Sequence, residues 1–463
     1  MAPVDAAWYH IDGPVNFALV TGIALTREPL DFEKVKAVYR ERLGRFDRFR
    51  QRVVEAGFPN ATPHWEDMPD FDIAQQLHHI ALPEPGGPEA LAGLIGDLAS
   101  TPLDRERPLW QVHVVDRVDG GSALIMRMHH CIADGTAAMA VCGELFDTKP
   151  GERRAPRGRK PAHASDLDKR VLAPALAAVE KAARDALDAV RHPQEVIDKA
   201  ALVVSGAGML LTELMKRPDP ASPLKAKFGL QKRVAWSEPI ALKDIKAIAA
   251  PSGAKINDVL VAGMTGALRA YLRKRGVDVN HVTVRAMVPV DLRPPGQGLE
   301  LGNDFGLVIL ELPISASAAF ERLRLTKERM DALKRSPEPV AVIALFNLFG
   351  RVPKALEDFA VDLFGSKASL VMTNVVGPRQ MLYVAGVPIE RFTFWVPHPG
   401  RQLGMGISIL SYNGDATLSV IADARLVPDP EAITAGFQRE FTRMLKLPRR
   451  RPTKAAPAKI RRS

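Results

Sequence analysis

The chain is poor in cysteine, in long apolar runs and in the signatures of the common hydrolases. Only Cys131 and Cys142 are cysteines among its 463 residues. Two thiols make neither a disulfide framework nor a Cys-x-x-Cys pair, which fits a reducing cytoplasm. The longest uncharged apolar stretch near the middle, Ala200 to Thr212, is broken by glycines and falls short of the ~20 residues a spanning helix needs, so no membrane crossing is expected. The opening Met-Ala-Pro-Val-Asp-Ala-Ala-Trp has no basic start and no apolar run, which argues against a secretion signal. There is no Gly-x-Ser-x-Gly elbow to raise a serine nucleophile and no His-Glu-x-x-His to hold zinc.

What is present is ordinary in bulk and uneven in detail. A content of 46% apolar and 25% charged residues suits a globular protein, and the length suggests two domains rather than one core. The formal net charge of +10 is concentrated at the end: Lys446 to Ser463 holds eight Lys and Arg and no acid, so the body is close to neutral. That tail, with Pro and Ala between its charges, reads as disordered. It could attract anionic lipid headgroups at ~1 kcal/mol per charge; no specific nucleic-acid partner is expected. Composition shifts to Pro, Gly, Arg and Lys from Thr148 to Pro161, the mark of a linker, and an amphipathic helical stretch follows with Leu176, Val179, Ala183 and Leu187 on one face. That helix could dock across both domains or lie on a membrane surface. The expected division is 1–147, a linker and crossover at 148–225, 226–447, and the tail at 448–463.

The most informative stretch is Met126 to Gly135, Met-Arg-Met-His-His-Cys-Ile-Ala-Asp-Gly. Ala123 to His130 reads as a buried strand, and Thr136 to Phe146 as the helix after it. Strand alternation puts Leu124, Met126, Met128 and His130 on one face and Ile125, Arg127 and His129 on the other. Only one of the paired histidines can therefore look into a given cavity. His130 continues the apolar face, where a neutral imidazole could take a proton from a hydroxyl attacking an acyl carbonyl, a role worth roughly 10²–10⁴-fold in rate. Asp134, beside Gly135 at a helix mouth, is suited to capping that helix or to pairing with an arginine. A core histidine satisfied by a backbone carbonyl is the plainer reading of either ring.

His129-His130-Cys131-Ile132-Ala133-Asp134-Gly135 resembles the HHxxxDG signature of the condensation-like, CoA-dependent acyltransferases. The whole chain is similar to the bacterial wax ester synthase/diacylglycerol acyltransferase family. The supporting stretches, in family order, are Pro108-Leu109-Trp110, Asn257-Asp258-Val259-Leu260, Val288-Pro289-Val290-Asp291-Leu292-Arg293, Gly302-Asn303-Asp304-Phe305-Gly306 and Thr373-Asn374-Val375-Val376-Gly377-Pro378. One departure is Leu19-Val20, where the family normally carries a His-Val pair. The resemblance implies an α/β fold of two chloramphenicol-acetyltransferase-like sandwich domains with the active site in a tunnel between them. It implies acyl transfer from acyl-CoA, a co-substrate and not a cofactor, to a lipid hydroxyl, with His130 as base and His129 and Asp134 beside it, and no metal. Diacylglycerol is the leading acceptor and a long-chain fatty alcohol the alternative. The cytoplasm, the inner face of the plasma membrane or a lipid-droplet surface would be the place.

Further assignments follow along the chain. Arg293 is the candidate partner of Asp134, by residue type and by superfamily analogy. Asn257 is a good helix cap; with Asp258 it starts the helix that runs to Lys274, and its carboxamide could instead serve a developing oxyanion. Thr373 or Asn374 could face the site opposite His130. The glycines flanking Asn303 allow close backbone approach. Arginines between Phe46 and Val54 could touch CoA phosphates, although a solvated basic face is the simpler reading. Val340 to Phe349 could line an acyl channel. Three other readings stand beside the main one: His129 and Asp134 as the His-x₄-Asp pair of glycerolipid acyltransferases, adjacent histidines as metal ligands, and a non-catalytic lipid-binding or droplet-surface protein. Acceptor, chain length and oligomeric state are not specified by the sequence.

Overall fold

The structure is a computed structural model that describes residues 1–55, 62–151, 219, 222–291, 293, 301–335, 361–362, 365–398 and 401–446. Most of the expected linker, the amphipathic helix after it, the apolar stretch Val340 to Phe349 and the basic tail lie outside the described residues.

The first half runs α1 (Pro3–His10), β1 (Leu19–Thr26), α2 (Phe32–Arg42), β2 (Gln51–Val54), β3 (His64–Asp67), β4 (Leu77–Ala81), α3 (Pro88–Ala99), β5 (Trp110–Val118), β6 (Gly121–His129) and α4 (Gly135–Leu145). The second runs β7 (Lys232–Trp236), β8 (Ile240–Ala241), α5 (Leu242–Ala249), α6 (Ile256–Lys274), β9 (Val284–Asp291), β10 (Phe305–Leu312) and α7 (Ala319–Lys334). It continues through β11 (Leu370–Val376), β12 (Tyr383–Val384), β13 (Val387–Pro388), β14 (Arg391–Trp395), β15 (Met405–Tyr412), β16 (Asp415–Asp423) and α8 (Glu431–Lys446). No described helix is long and apolar enough to cross a membrane.

Two mixed sheets organise these elements. One has the order β14-β1-β6-β5-β4; the other runs β10-β9-β11-β15-β16-β7, with β8 also on β16. The crossing of β14 into the first sheet, antiparallel to β1 with Thr21 opposite Trp395, ties the halves together through backbone hydrogen bonds. Local chemistry sets several element ends. Asp31 caps α2 by accepting from the Lys34 amide. Asp119-Gly120 and Asn413-Gly414 both take positive φ, as two-residue hairpin turns between right-twisted strands require.

β6 shows how the strand period serves the site. Leu124, Met126 and Met128 face a cluster built from α1, α2, α4 and residues of the second half such as Leu307, Val371 and Phe394. Ala123 and Ile125 face the opposite way, onto Leu91 and Ile95 of α3. The shared cluster on the first face is where the halves meet and where the cavity opens. A third cluster, between the second sheet and α6 and α8, supports that sheet from behind.

Candidate active site

β6 ends at His129, so His130 stands at the first position of the turn, still on the face of Met126 and Met128. It lines a cavity of about 560 Å³ together with Trp8 of α1, Thr136 and Met139 of α4, Phe305 of β10 and Thr373 of β11. Both halves thus contribute walls. The imidazole stacks on Trp8 at 4.2 Å between centroids and meets Phe305 at 5.6 Å. Burial pushes the ring down to about 4, against the pull of the Asp134 carboxylate and the Asn303 carbonyl, which favour the protonated form. At neutral pH the ring is uncharged.

Its tautomer follows from Asn303. The Asn303 Nδ2 donates to Asp5 Oδ1 and to the His130 carbonyl, both at 2.9 Å, and a backbone carbonyl can only accept. The amide is therefore fixed with Oδ1 towards His130, 2.8 Å from Nδ1. Nδ1 must carry the proton, and the Nε2 lone pair is left for chemistry. Asp5 also accepts from the Asn303 backbone at 3.0 Å and pairs with Arg48 at 3.0 Å. Burial raises the Asp5 carboxyl above its ordinary range although Arg48 and Asn303 oppose it.

His129 is turned the other way. Its Nδ1 accepts from the Cys131 amide at 3.2 Å, so its Nε2–H faces Asp12 at 3.3 Å. Asp12 is itself held by the Ala18 amide at 2.6 Å. Both nitrogens of His129 are thus used in fixing the turn, and its bond goes to Asp12 rather than Asp134. The two rings do not converge as metal ligands would, and no cluster of three metal-binding side chains occurs among the described residues.

Asp134 caps α4 by accepting from the Ala137 amide at 3.0 Å. Its other oxygen takes the Asp304 amide at 3.0 Å and Arg293 Nη2 at 2.6 Å, so Asp134 and Arg293 meet across the two halves. The Asp134 amide donates to the Gly302 carbonyl at 3.1 Å. Gly302 has φ 120°, and a Cβ there would come within 3.3 Å of Arg48 Nη1 and Asp5 Oδ2. Only glycine suits that approach. Gly135 opens α4, and a Cβ there would come within 3.2 Å of Val375.

Two expectations are corrected. Asn257 does not cap its helix. Lys255 precedes α6, and the buried Asp258 closes the first turn by accepting from the Lys255 amide at 2.8 Å. Asn257 instead accepts at Oδ1 from Asn374 Nδ2, 2.8 Å away on an exposed surface. The arginine segment is also not uniformly a solvated face. Arg48 turns inward to Asp5 and the Ile132 carbonyl, with its guanidinium over Trp65 at 5.2 Å. Arg50 and Arg52 pair with Asp47 and Glu66 at the surface. Thr373 lines the cavity with Asn374, whereas Asn257 is outside it. Sequence reasoning missed the Asp5–Asn303 relay, Trp8 and Asp12. Asp5 and Trp8 share a face of α1, but the burial that makes the acid conspicuous is seen only in the fold.

The wax ester synthase/diacylglycerol acyltransferase catalytic domain matches residues 1–260, and the C-terminal domain of the same family matches residues 301–445. A Mycobacterium tuberculosis (strain H37Rv) protein named "Probable diacyglycerol O-acyltransferase tgs1" is 27% identical over 95% of this chain and 94% of its own length. The solved wax ester synthase/diacylglycerol acyltransferase of Marinobacter aquaeolei VT8 superposes with a TM-score of 0.67 at 22% identity, over 96% of this chain and 98% of that one. The first condensation domain of the calcium-dependent antibiotic synthetase superposes at 0.56 with 17% identity, over 96% and 94% of the two chains. With both domains matched in order around a neutral, tautomer-fixed histidine, this chain belongs to the wax ester synthase/diacylglycerol acyltransferase family of acyl-CoA-dependent acyltransferases.

Proposed function

We propose that the protein transfers a long-chain acyl group from acyl-CoA to the free hydroxyl of diacylglycerol, giving triacylglycerol. The observation that carries this reading is the His130–Asn303–Asp5 relay at the wall of a largely apolar cavity shared by both halves. His130 Nε2 takes the hydroxyl proton as the alcohol oxygen attacks the thioester carbonyl carbon. The tetrahedral intermediate collapses, the carbon–sulfur bond breaks, and the imidazolium returns its proton to the CoA thiolate. No acyl-enzyme is needed, because a thioester is already activated. The Thr373 hydroxyl and the first turn of α4 at Gly135 and Thr136 line the same cavity and suit a developing oxyanion. Diacylglycerol is favoured as acceptor by the name of the Mycobacterium tuberculosis relative. The two substrates would meet at the cytoplasmic face of a membrane or at a lipid-droplet surface.

The test is an acceptor panel with one radiolabelled acyl-CoA and the products separated by lipid class. Triacylglycerol as the main product supports the proposal. Wax ester as the main product would replace diacylglycerol by a fatty alcohol, and acyl-CoA left intact with every acceptor would remove the acyltransfer reading.

A further inference from the structure

The strand register gives the cavity two ends. Its wall on the second sheet includes Val371, Thr373 and Val375, one face of β11. Both β9 and β15 run parallel to that strand, with Met287 and Gly406 beside Val371. Asp291 closes β9 and Val376 closes β11, so both stand at the C-terminal end of this wall. Thr136 of α4 joins them there, donating to Asp291 Oδ2 at 3.0 Å. Arg401 and Gln402 precede β15 and line the cavity past the opposite end of β11. A Cβ on Gly365, which precedes β11, would come within 3.1 Å of Gln402. With seven residues in β11, the two ends are roughly 20 Å apart.

The ends differ in charge. Among the described residues, Asp291 and Arg401 are the exposed charged groups that line the cavity, and a residue that is both exposed and cavity-lining marks a mouth. The Asp291 side chain is 46% exposed; its Oδ2 takes Thr136 and its Oδ1 the Arg293 amide at 3.0 Å. Arg293 does not neutralise it. Its Nη2 is committed to Asp134 at 2.6 Å, its Nη1 stays 3.7 Å from Asp291, and Asp304 acts on the same guanidinium. Three carboxylates thus share one cation, which leaves this mouth negative. Val376, 75% exposed, gives the same mouth an apolar lip. At the other mouth Arg401 is 57% exposed, with Asp362 no nearer than 3.7 Å.

We infer that the hydroxyl acceptor enters at the Asp291 mouth and that the Asp291 carboxylate is the specificity-determining group there, turning away hydroxyl lipids that carry an anion and admitting uncharged ones. The inference rests on the acyltransfer reading above and adds the charge class of the acceptor. Repulsion from a part-exposed carboxylate acts on an approaching anion before contact and leaves an uncharged alcohol unaffected. The phosphates of CoA would meet the same repulsion at this mouth, whereas Arg401 has the sign that attracts them, so the two substrates approach from opposite ends. Selectivity of this kind works against the wrong ligand and needs no added contact to the right one.

The test uses the full chain with hexadecanoyl-CoA and two diacylglycerols in nonionic micelles. One is 1-oleoyl-2-succinylglycerol, which holds a carboxylate close to its free hydroxyl; the other is its methyl ester, which offers the same hydroxyl without the charge. The kcat/KM ratio of ester to acid is read within each variant at about 0.01 M and about 0.5 M salt, between which the screening length falls from roughly 30 Å to below 10 Å. In the parent the ester should be preferred by roughly tenfold or more at low salt, and the preference should shrink severalfold at high salt. Asp291→Asn keeps an acceptor for Thr136 and removes the charge, so its preference should be smaller at low salt and nearly independent of salt. Desolvation of the acid in an apolar cavity also favours the ester, but that cost persists in Asp291→Asn. A parent preference that ignores salt, or the same salt response in Asp291→Asn, overturns the inference while leaving acyltransfer intact. Transfer to neither diacylglycerol takes down the diacylglycerol reading and this inference together.

Discussion

Replacing Asn303 by Ala is the sharpest test of how the base is prepared. The substitution removes the acceptor that lies 2.8 Å from His130 Nδ1 and leaves the imidazole in its pocket between Trp8 and Phe305. In the ground state the lost bond is between neutral groups, worth ~0.5–1.5 kcal/mol, whereas against the imidazolium of the transition state it is worth ~1.5–3 kcal/mol. The difference of about 1–1.5 kcal/mol is roughly tenfold in kcat. Loss of the tautomer lock adds to it, because the proton can then sit on Nε2, so a total of about 10- to 100-fold is expected, short of the 10²–10⁴-fold that removing the base itself costs. KM should hardly change, since the interaction strengthens only on the way to the transition state. The assay is thiol release from acyl-CoA in the presence of diacylglycerol, followed across pH. The active form is the neutral ring, so the rate falls as pH drops through a value of about 4 in the parent. Asn303 favours the protonated ring, and its removal moves that fall to still lower pH. Full activity in Asn303→Ala, or an acid limb near pH 6.5 in the parent, would refute the reasoning.

The remaining predictions separate structure from chemistry around the same loop. His130→Ala should lose kcat with little change in melting temperature, whereas His129→Ala, which strips the turn of its bonds to Asp12 and the Cys131 amide, should lower the melting temperature as well; full activity in the first with loss in the second would reverse the two roles. Asp134→Ala breaks a buried ion pair and a cap and should cost about 3–5 kcal/mol in urea unfolding, while Asp134→Asn keeps the cap and should cost distinctly less; equal losses would place all the effect in the ion pair. Burial holds His113 and His398 at about 3, so below the ordinary value of 6.5 the unfolded chain takes up protons that the folded one refuses. Stability is therefore complete above that value and lost progressively as pH falls towards about 3. His113→Phe should shrink the difference in urea midpoint between pH 7.5 and pH 5.0; an unchanged difference would mean that His113 is protonated in the fold.

How much of this could be read from sequence depends on the range of the interactions. The β6–α4 unit was legible because alternation along Met126, Met128 and His130, and a cap at Asp134, are both local patterns. The Asn413-Gly414 turn is a local pattern of the same kind. Asn257 misled because Ile256-Asn257-Asp258 offers two phases for one helix start; a carboxylate reaching back from the third residue competes with a carboxamide before the first. Arg48 could not be told from Arg45, Arg50 and Arg52, since a charge run has no period, and only the fold decides which member turns inward. Asp5 and Asn303 are 298 positions apart, and the pairing of β1 with β14 joins Thr21 to Trp395. Nothing in either neighbourhood announces such partners.

The spacing inside the motif has a physical cause in these contacts. His130 must be the first residue off β6 to keep the face set by Met126 and Met128, and Asp134 must be the residue before α4 to cap it. The three residues between them, Cys131, Ile132 and Ala133, are fully buried, and Ala133 bridges to Gly302. That bridge brings Asn303 to Nδ1 of His130, and Asp304 and Arg293 to Asp134. A loop one residue longer or shorter would leave either the cap or the bridge unmade, with buried backbone groups unpaired. The base acquires its reactive tautomer through a loop of the second half, so docking of the halves and readiness of His130 are one event. A first half folded alone would keep its histidine pair and lack a prepared base.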